Sequence, residues 1–338
     1  MQRKLQQLSL ALLLPALLSC GSKSKQTAAD AADPCRALGT ASEVMACVDQ
    51  ARLSADINQV AMERVPGSTH WQTTQDLCRT RLTEYGFEVE LVSYDTGVNV
   101  IGRRPGSLPD GGDVIISAHY DHIEGCPGAS DNAAGLAATL EIARLLGARE
   151  IEQSLVIACW DEEERGLLGS RAYADAARAE NQKITAMISF DTIGYRENGI
   201  YTQTLPDGFE ALFPNEHAIV EANEFRADFL SLTLDESSHA VGLRLYAHAD
   251  SIGLNTSVLE VPETLKLNAA TSDLRRSDHA SFWQNDYPGI LLSDTANFRN
   301  PNYHCLDGID LPGTLDMEFV VETTQIALGA AIDTLGSP

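Results

Sequence analysis

Basic residues are scarce in this chain, which has 24 lysines and arginines against 48 aspartates and glutamates. The formal net charge is −24 at pH 7. A chain this acidic repels nucleic acid and anionic membrane surfaces, so we expect no nucleic-acid partner. The acidic balance suits cation binding, although surface acid mainly keeps a protein in solution.

Several motifs of well-known hydrolases and metal sites are also missing. The sequence contains no G-x-S-x-G motif of the serine hydrolases and no H-E-x-x-H motif of the thermolysin type. It contains no C-x-x-C pair, which argues against a zinc site built from thiolates. Carboxylates and histidines remain as the candidates for chemistry.

The N-terminus carries a short apolar run, Leu8–Leu18, preceded by two basic residues. The run is too short to span a bilayer as a permanent helix. It ends in Leu17-Leu18-Ser19-Cys20, which resembles the lipobox of bacterial lipoproteins, whose cysteine is acylated. We therefore predict a lipoprotein signal peptide over residues 1–20, with an ordinary secretory signal as the alternative. The only membrane attachment would be the lipid on Cys20. Acyl chains anchor a protein by burying methylenes in the bilayer, and each methylene contributes about 0.8 kcal/mol.

The predicted location is outside the cytoplasm. No aspartate follows Cys20, which fits an exported bacterial lipoprotein anchored in the outer membrane and facing the periplasm or the cell surface. Residues 21–34 consist largely of Ser, Lys, Ala, Asp and Gln with almost no large apolar side chains, so we predict a flexible tether over residues 21–40. Residues 41–338 show no internal repeat and no second linker, which predicts a single catalytic domain.

Strand and helix patterns alternate through residues 41–338. This alternation predicts an α/β fold: a three-layer sandwich with a mixed, mostly parallel central sheet and helices on both faces. The predicted helices cover residues 42–62, 71–85, 132–146, 170–180 and 315–328. The predicted strands cover residues 87–94, 97–101, 113–118, 155–160, 184–190 and 289–292. Residues 195–274 are the least legible, and we expect them to add strands at the sheet edge and the walls of a substrate pocket.

Five candidate metal ligands follow predicted strands or the loops after them. They are His119, Asp131, Glu164, Asp191 and His304, with a second glutamate, Glu163, beside the third. Because ligands bind beyond the carboxyl ends of strands in open α/β sheets, we expect these side chains to meet at one edge. Two neighbouring zinc ions need one histidine and one carboxylate each, a shared carboxylate and a free base. This order of residues supplies that set.

Each local motif also has an ordinary structural interpretation. In His119-Tyr120-Asp121, alternate residues of an extended segment share a face, so the Asp121 carboxylate can orient the imidazole of His119. The same triplet is also a common polar strand end. Asp131 suits a helix N-cap, and the acidic run that includes Glu163 suits a solvated face. The shared context of the motifs, above one sheet, favours the metal site.

Six segments together resemble the di-zinc exopeptidase family of the bacterial leucyl aminopeptidases, which has glutamate carboxypeptidases and glutaminyl cyclases as relatives. The resemblance begins near Ile57 and runs to the C-terminus. The segments are Ser117-Ala118-His119-Tyr120-Asp121-His122, Gly128-Ala129-Ser130-Asp131-Asn132-Ala133-Ala134-Gly135, Glu163-Glu164-Arg165-Gly166-Leu167-Leu168-Gly169-Ser170, Asp191-Thr192-Ile193-Gly194, Ser277-Asp278-His279 and Tyr303-His304.

The resemblance implies a role for each candidate. Two Zn²⁺ per chain would share Asp131, with His119 and Asp191 completing one site and Glu164 and His304 the other. Glu163 would be the general base and Asp121 the partner of His119. The family often has a cis peptide after the shared aspartate, here Asp131–Asn132.

Two departures from the family pattern are visible. Ser130 replaces a residue that is often acidic in relatives, and His279 is a family feature that is not a usual ligand. We expect His279 in the pocket or behind the ligands. The remaining histidines are interpreted as ordinary ones: His70, His122, His217, His239 and His248.

The cysteines of the predicted mature chain, apart from Cys20, are six in number, and an even number in an exported protein suggests disulfides. Connectivity among Cys35, Cys47, Cys78, Cys126 and Cys305 does not follow from the sequence. Cys126 and Cys305 flank two of the ligand loops and would pair if those loops meet. Cys159 lies inside an apolar run, which favours a buried thiol.

The predicted function is a zinc metallopeptidase, an aminopeptidase that releases N-terminal residues from peptides with a free N-terminus. Water activated by two zinc ions would attack the peptide, with Glu163 as base. The alternatives are a glutamate-type carboxypeptidase or a glutaminyl cyclase on the same fold, and a non-catalytic binding lipoprotein. The first would need a cluster of basic residues, and only Arg275 and Arg276 are adjacent near a motif. The sequence predicts neither the preferred side chain nor the oligomeric state.

Overall fold

The centre of the structure is a mixed β-sheet. The computed structural model describes residues 34–37 and 39–337. The strands are β1 Glu88–Ser93, β2 Val98–Arg104, β3 Asp113–His119, β4 Ser154–Trp160, β5 Ile184–Phe190, β6 Leu230–Asp235, β7 Thr256–Val261 and β8 Ile290–Ser293. Their order across the sheet is β1-β2-β4-β3-β5-β8-β6-β7. The predicted signal peptide, Cys20 and most of the predicted tether lie outside the described residues.

Helices connect and cover the strands. The α-helices of the described residues are α1 Ala41–Met45, α2 Gln50–Val60, α3 Thr69–Glu84, α4 Gly135–Leu146, α5 Leu168–Ala179, α6 Phe209–Leu212, α7 Pro214–Ala222, α8 His239–Ile252, α9 Glu263–Lys266, α10 His279–Gln284 and α11 Met317–Leu335. Within residues 34–37 and 39–337, no helix has both the length and the apolar content to cross a membrane.

The four central strands β4, β3, β5 and β8 are parallel. Every residue of β3 is buried, as expected for a strand covered on both faces. Val114 and Ile116 pack into the larger core with α4 and α11, whereas Ile115 packs on the other face with Tyr173 of α5 and Phe282 of α10. The predicted α/β sandwich with a mixed central sheet is confirmed.

Three predicted helices differ from the structure by more than two residues. The predicted helix 315–328 continues to Leu335 as α11. The predicted helix 42–62 is wrong as a single helix, because Asp49 interrupts it and accepts hydrogen bonds from the N–H groups of Ala51 and Arg52 at the start of α2. The prediction that a helix begins at Asn132 is also wrong. Asp131 and Asn132 have non-helical backbone angles, and α4 begins at Gly135. The expected cis peptide between Asp131 and Asn132 is present.

The region 195–274 supplies the far edge of the sheet, as expected. It contributes the adjacent strands β6 and β7, which pair in parallel, and β6 pairs antiparallel with β8. The helix α8 between them was not predicted. Its buried residues Val241, Leu245 and Ala249 recur at intervals of four, a helical signal that the sequence did contain.

Candidate metal centre

The candidate ligands converge at one edge of the sheet. His119 is the last residue of β3, and Asp191 directly follows β5. Glu164 lies in a short 3-10 turn after β4, and His304 lies in another turn after β8. Because these four strands are parallel, their carboxyl ends open on the same side. Asp131 lies in the turn before α4.

Asp131 lies between two histidines. Its Oδ1 is 3.2 Å from Nε2 of His119, and its Oδ2 is 3.2 Å from Nε2 of His304. Nε2 of His119 is also 3.8 Å from Oδ1 of Asp191. Nε2 of His304 is 3.2 Å from Oε2 of Glu164. Each oxygen of the central carboxylate therefore faces one histidine, and each histidine has a second carboxylate beside it.

The buried atoms at this centre have the arrangement expected of metal ligands. Nε2 of His119, Nε2 of His304 and Oδ1 of Asp131 are buried and have no hydrogen-bond partner among the described residues. The Nε2 atom of each histidine lies 3.2 Å from an oxygen of Asp131 without forming a hydrogen bond to it. Each such pair of atoms is therefore free to bind one common ion. A buried unpaired polar atom is costly unless an ion or water completes it. Imidazole and carboxylate are the ligands that zinc takes.

His122 also belongs to this cluster, which the sequence did not indicate. Two groups of side chains bring one ligand atom each within 4.8 Å of one another. The first comprises His119, Asp131 and Asp191, as predicted, whereas the second comprises His122, Asp131 and Glu164. His304 also lies beside Glu164 of the second group. The rings of His122 and His304 meet edge to face, with their centroids 5.8 Å apart.

Glu163 lies beside the centre. Its Oε2 is 4.0 Å from Nε2 of His119, and it is buried. Asp121 fixes the turn that carries it, because the N–H groups of Glu163 and Glu164 donate to the Asp121 carboxylate at 3.0 Å and 3.3 Å. Nδ1 of His119 is 3.2 Å from the backbone oxygen of Asp121 and 3.5 Å from its Oδ1. Asp121 therefore orients both His119 and the glutamate turn.

The charges at the centre shift the pKa values of its members. Burial, together with Asp191, Asp278 and Glu164, raises the pKa of Glu163 despite the nearby imidazole of His119. Burial acts to lower the pKa of His304, but Asp131 and Glu164 outweigh it and raise the pKa to about 10. The clustered carboxylates thus favour the protonated, positively charged form of the His119 and His304 imidazoles. A divalent cation would satisfy the same demand.

Arg64 holds backbone segments around the centre, a role that the sequence did not indicate. Its buried guanidinium donates to the backbone oxygens of Val60, Met62, Tyr120, Pro127, Gly128 and Asp131. Burial lowers the pKa of Arg64 to about 10, against the charges of Asp131 and Asp121, so the group stays protonated at neutral pH. A lone arginine between two helices gives no sequence signal of this role.

Asp310 is a second support that sequence analysis missed. Its carboxylate accepts hydrogen bonds from the N–H groups of Ser130 at 2.9 Å and Asp131 at 3.1 Å. Ser130, the departure noted above, donates its hydroxyl to Asp294 at 3.2 Å. The backbone of the shared aspartate is therefore held by a segment near the C-terminus.

A disulfide joins two of the loops at this edge. Cys126, in the loop before Asp131, is bonded to Cys305, which directly follows His304. A second disulfide joins Cys35 and Cys47. Cys159 is a buried free thiol, as expected, and Cys78 is another. The loops that carry Cys126 and Cys305 do meet, which is the condition on which their pairing was predicted.

An apolar cavity of about 110 Å³ opens beside the centre. Its lining includes the candidate ligand Asp191 and also Tyr303, the neighbour of His304. Arg276 also lines it, and donates to Oδ1 of Asn297 and the hydroxyl of Tyr303. The apolar walls are Phe209, Val220, Phe229, Leu259, Leu274 and Leu291. Most of these come from the region 195–274, as expected for the substrate pocket.

Several other residues singled out from the sequence have their partners outside the centre. His279 is buried at the start of α10, where its Nε2 is 2.9 Å from the backbone oxygen of Leu274. Arg275 donates to the backbone oxygens of Lys266 and Asn268. His239 and His248 pair with carboxylates elsewhere. Among the described basic residues, Arg276 is the one that lines the cavity.

Comparison with known proteins agrees with this geometry. Residues 99–229 match the model of peptidase family M28. Aminopeptidase YwaD of Bacillus subtilis is 30% identical over 167 residues, which are 48% of this chain and 36% of YwaD. The chain spans less than two thirds of the length of the curated relatives it matches first.

Solved structures share the fold. The LapA aminopeptidase of Legionella pneumophila superimposes with a TM-score of 0.66 at 16% identity, covering 87% of this chain and 74% of LapA. A glutaminyl cyclase of Fimbriiglobus ruber superimposes with a TM-score of 0.58 at 15% identity, covering 86% of this chain and 96% of that one. Residues 99–229 therefore carry a domain of peptidase family M28, a family of zinc metallopeptidases, as the resemblance in the sequence motifs implied.

Proposed function

We propose that the protein is a zinc aminopeptidase with two metal ions per chain. The observation that carries the proposal is the position of Asp131, whose two oxygens each lie 3.2 Å from a different histidine. His119 and Asp191 would hold one ion, Glu164 and His304 the other, and Asp131 would belong to both. Bound there, the zinc ions would polarise the peptide carbonyl and lower the pKa of water.

Glu163 is the general base of the proposed reaction. Glu163 belongs to neither group of converging candidate ligands among the described residues, and its Oε2 lies 4.0 Å from Nε2 of His119. Its raised pKa, caused by burial and the neighbouring carboxylates, suits a group that accepts a proton near neutral pH. Glu163 takes the proton of the attacking water and passes it to the leaving amine. Asp121 holds the Glu163 turn in place throughout.

The cavity supports cleavage next to a free N-terminus. Asp191, a candidate metal ligand, is among the residues that line it, so a substrate side chain held in the cavity would place its own carbonyl and amine beside the centre. The acidic groups Glu163 and Asp191 attract a protonated amine there. The apolar walls, which include Phe229, Leu259 and Leu291, favour a large apolar first residue.

Two other functions on this fold are less well supported. A glutamate-type carboxypeptidase needs several cations for its substrate carboxylates, whereas Arg276 alone among the described basic residues lines the cavity, with Asp273 3.9 Å away. A glutaminyl cyclase of this fold normally works with one zinc, yet both histidine–carboxylate pairs are in place here. The solved glutaminyl cyclases keep that function as the second candidate.

A substrate panel tests the proposal. Aminoacyl-anilides, their N-acetylated forms and glutaminyl peptides are offered to the protein with and without a chelator. We expect cleavage of free-amine anilides only, fastest for leucine and phenylalanine, and recovery with zinc after chelation. Preference for N-blocked substrates would overturn the aminopeptidase assignment. Ring closure of glutaminyl peptides without anilide cleavage would identify a cyclase instead.

We also propose export and a lipid anchor on Cys20. Support comes from the lipobox-like Leu17-Leu18-Ser19-Cys20 and from the disulfides Cys35–Cys47 and Cys126–Cys305, which are typical of oxidising compartments. Metabolic labelling with a fatty acid in a bacterial host tests this proposal. The lipid should label the unaltered chain and not Cys20→Ser. Equal labelling of both would rule out Cys20 as the attachment point.

A further inference from the structure

His122 lies against the candidate centre without an assigned role. Its side chain is completely buried, and its Nδ1 is 2.7 Å from Oε1 of Glu164. Its Nε2 is buried and has no hydrogen-bond partner within the described residues. His122 is therefore attached to the centre through Glu164.

The two oxygens of Glu164 have different neighbours. Oε1 faces His122, whereas Oε2 is 3.2 Å from Nε2 of His304. A carboxylate only accepts hydrogen bonds, so the His122 nitrogen that faces Oε1 carries the proton. The hydrogen bond occupies Oε1 and leaves Oε2 for a cation shared with His304.

The His122 ring is held in this orientation by the protein itself. Its backbone N–H donates to the backbone oxygen of Arg64 at 3.2 Å. Gly128 packs against the ring, since a Cβ at this position would lie 2.5 Å from Cδ2 of His122. Gly128 also has a φ of +62°, in the left-handed region that favours glycine. These contacts hold the ring with its Nδ1 toward Glu164.

We propose that His122 is a positioning residue of the Glu164–His304 metal site. Its Nδ1–H holds Glu164 so that a single oxygen, Oε2, faces the ion, and thereby sets the affinity of this site. The inference rests on the proposed two-metal function. The segment His119–His122 then serves both sites, with His119 as a ligand of one and His122 behind a ligand of the other.

Two variants with side chains of similar shape to each other separate the effect of the hydrogen bond from the effect of losing the ring. His122→Asn keeps an N–H group near the position of Nδ1, whereas His122→Leu has the same outline without a donor. His239→Leu is the matched control, because Nδ1 of His239 is also 2.7 Å from a glutamate oxygen, on Glu260, but at an exposed position. Zinc affinities are measured on the full chain by competition with a chromophoric chelator. Circular dichroism checks that each variant is folded.

We expect the unaltered chain and His239→Leu to bind two zinc ions with the same affinities. His122→Leu should bind one of the two about 10- to 100-fold more weakly, the usual effect of losing a group behind a metal ligand. His122→Asn should retain both affinities within about 3-fold, since the donor remains.

Several results would overturn the inference. Unchanged affinities in His122→Leu would mean that Glu164 needs no partner. Equal losses in His122→Asn and His122→Leu would mean that His122 is itself a ligand or only fills space. Failure of the unaltered chain to bind zinc would refute the proposed function, independently of any variant. Should His122→Leu not fold, His122→Ala takes its place as the variant without a donor.

Discussion

The backbone N–H of Glu163 donates a hydrogen bond to Oδ1 of Asp121 at 3.0 Å. This bond crosses from the turn after β4 to the end of β3, where the parallel strands lie side by side. The predicted base is thus placed by the same carboxylate that stands 3.5 Å from the imidazole of His119. Motion of either segment would move the predicted base relative to the candidate metal ligands.

Replacing the predicted base separates catalysis from metal binding. Glu163→Gln should lower kcat by about 10²- to 10⁴-fold, because the amide cannot accept a proton from water. Zinc content, measured by atomic emission, should stay near two per chain. Glu162→Gln is the control, since the Glu162 carboxylate contacts Thr96 and Arg165 outside the centre. Substantial activity in Glu163→Gln would place the base elsewhere.

Metal removal should lower both activity and stability. Without a cation, the carboxylates of Asp131, Glu164 and Asp191 repel one another across a buried centre. Thermal melts with chelator and with zinc measure the difference. Zinc at 1,000 times its Kd stabilises the folded state by about 4 kcal/mol. A melting temperature that does not respond to zinc would contradict a metal centre.

The disulfide beside His304 should matter for the centre and not only for stability. Replacing Cys126 and Cys305 by serine frees the turn that carries His304. The loop closed by this disulfide is long, with a sequence separation of 179, against 12 for Cys35–Cys47. The expected losses in unfolding free energy are about 5 and 3 kcal/mol, because a longer loop restricts the unfolded chain more.

The double-serine variant at Cys35 and Cys47 is the control for zinc binding. It should keep both zinc ions at 25 °C, whereas the Cys126/Cys305 variant should bind zinc more weakly. Zinc titration of the two folded variants measures this. Identical zinc affinities would show that the turn around His304 is held by its other contacts.

Filling the cavity should change the substrate preference. Ser257 lies on β7 and lines the cavity, so Ser257→Phe would occupy space that a large substrate side chain needs. We expect kcat/KM for leucyl-anilide to fall at least about 10-fold, the effect of one or two misplaced methylenes, with alanyl-anilide less affected. Ser257→Thr serves as a control of similar size to the native residue. A parallel loss for both substrates would argue that the cavity does not hold the first side chain.

The buried His279 should make stability fall at acid pH. Burial lowers the pKa of His279 to about 4. Between about pH 6.5 and this value the unfolded chain binds a proton that the folded chain does not, so stability is lost as the pH falls. The full loss is about 3 kcal/mol, at about 1.4 kcal/mol per pKa unit.

Urea unfolding at several pH values, in the presence of chelator, measures this slope without a contribution from zinc. His279→Gln removes the titrating group and should flatten the curve between pH 6.5 and pH 4. The slope should persist in His239→Gln, which changes an exposed histidine. Equal slopes for the unaltered chain and His279→Gln would assign the acid sensitivity to other groups.

The parts of the fold that depend on local apolar pattern were predictable. The run ending at Ala118 is buried on both faces, so β3 and the position of His119 at its end follow from the sequence. The order of the candidate ligands led to the expectation that they meet at one edge of the sheet, where the structure brings them together with His122. By contrast, the helix break at Asp49 was not predicted. The residues on both sides of Asp49 have a helical pattern, so its role as the N-cap of α2 does not stand out in the sequence.

The supports of the centre were not predictable in the same way. Arg64 and Asp310 act through backbone groups of residues distant in sequence, and such contacts leave no periodic signal. His122 differs from an ordinary histidine only because the fold brings Glu164 to it. Residues whose role is to hold other residues become visible only in three dimensions.

The guanidinium of Arg64 has a consequence for where the functional unit begins. The family match starts at residue 99, yet Arg64 binds the backbone oxygens of Gly128 and Asp131 from outside that match. A fragment starting at residue 99 would leave those oxygens without a donor and the ligand turn without its brace. A fragment that keeps this turn braced must therefore include the segment upstream of the residues that match the family.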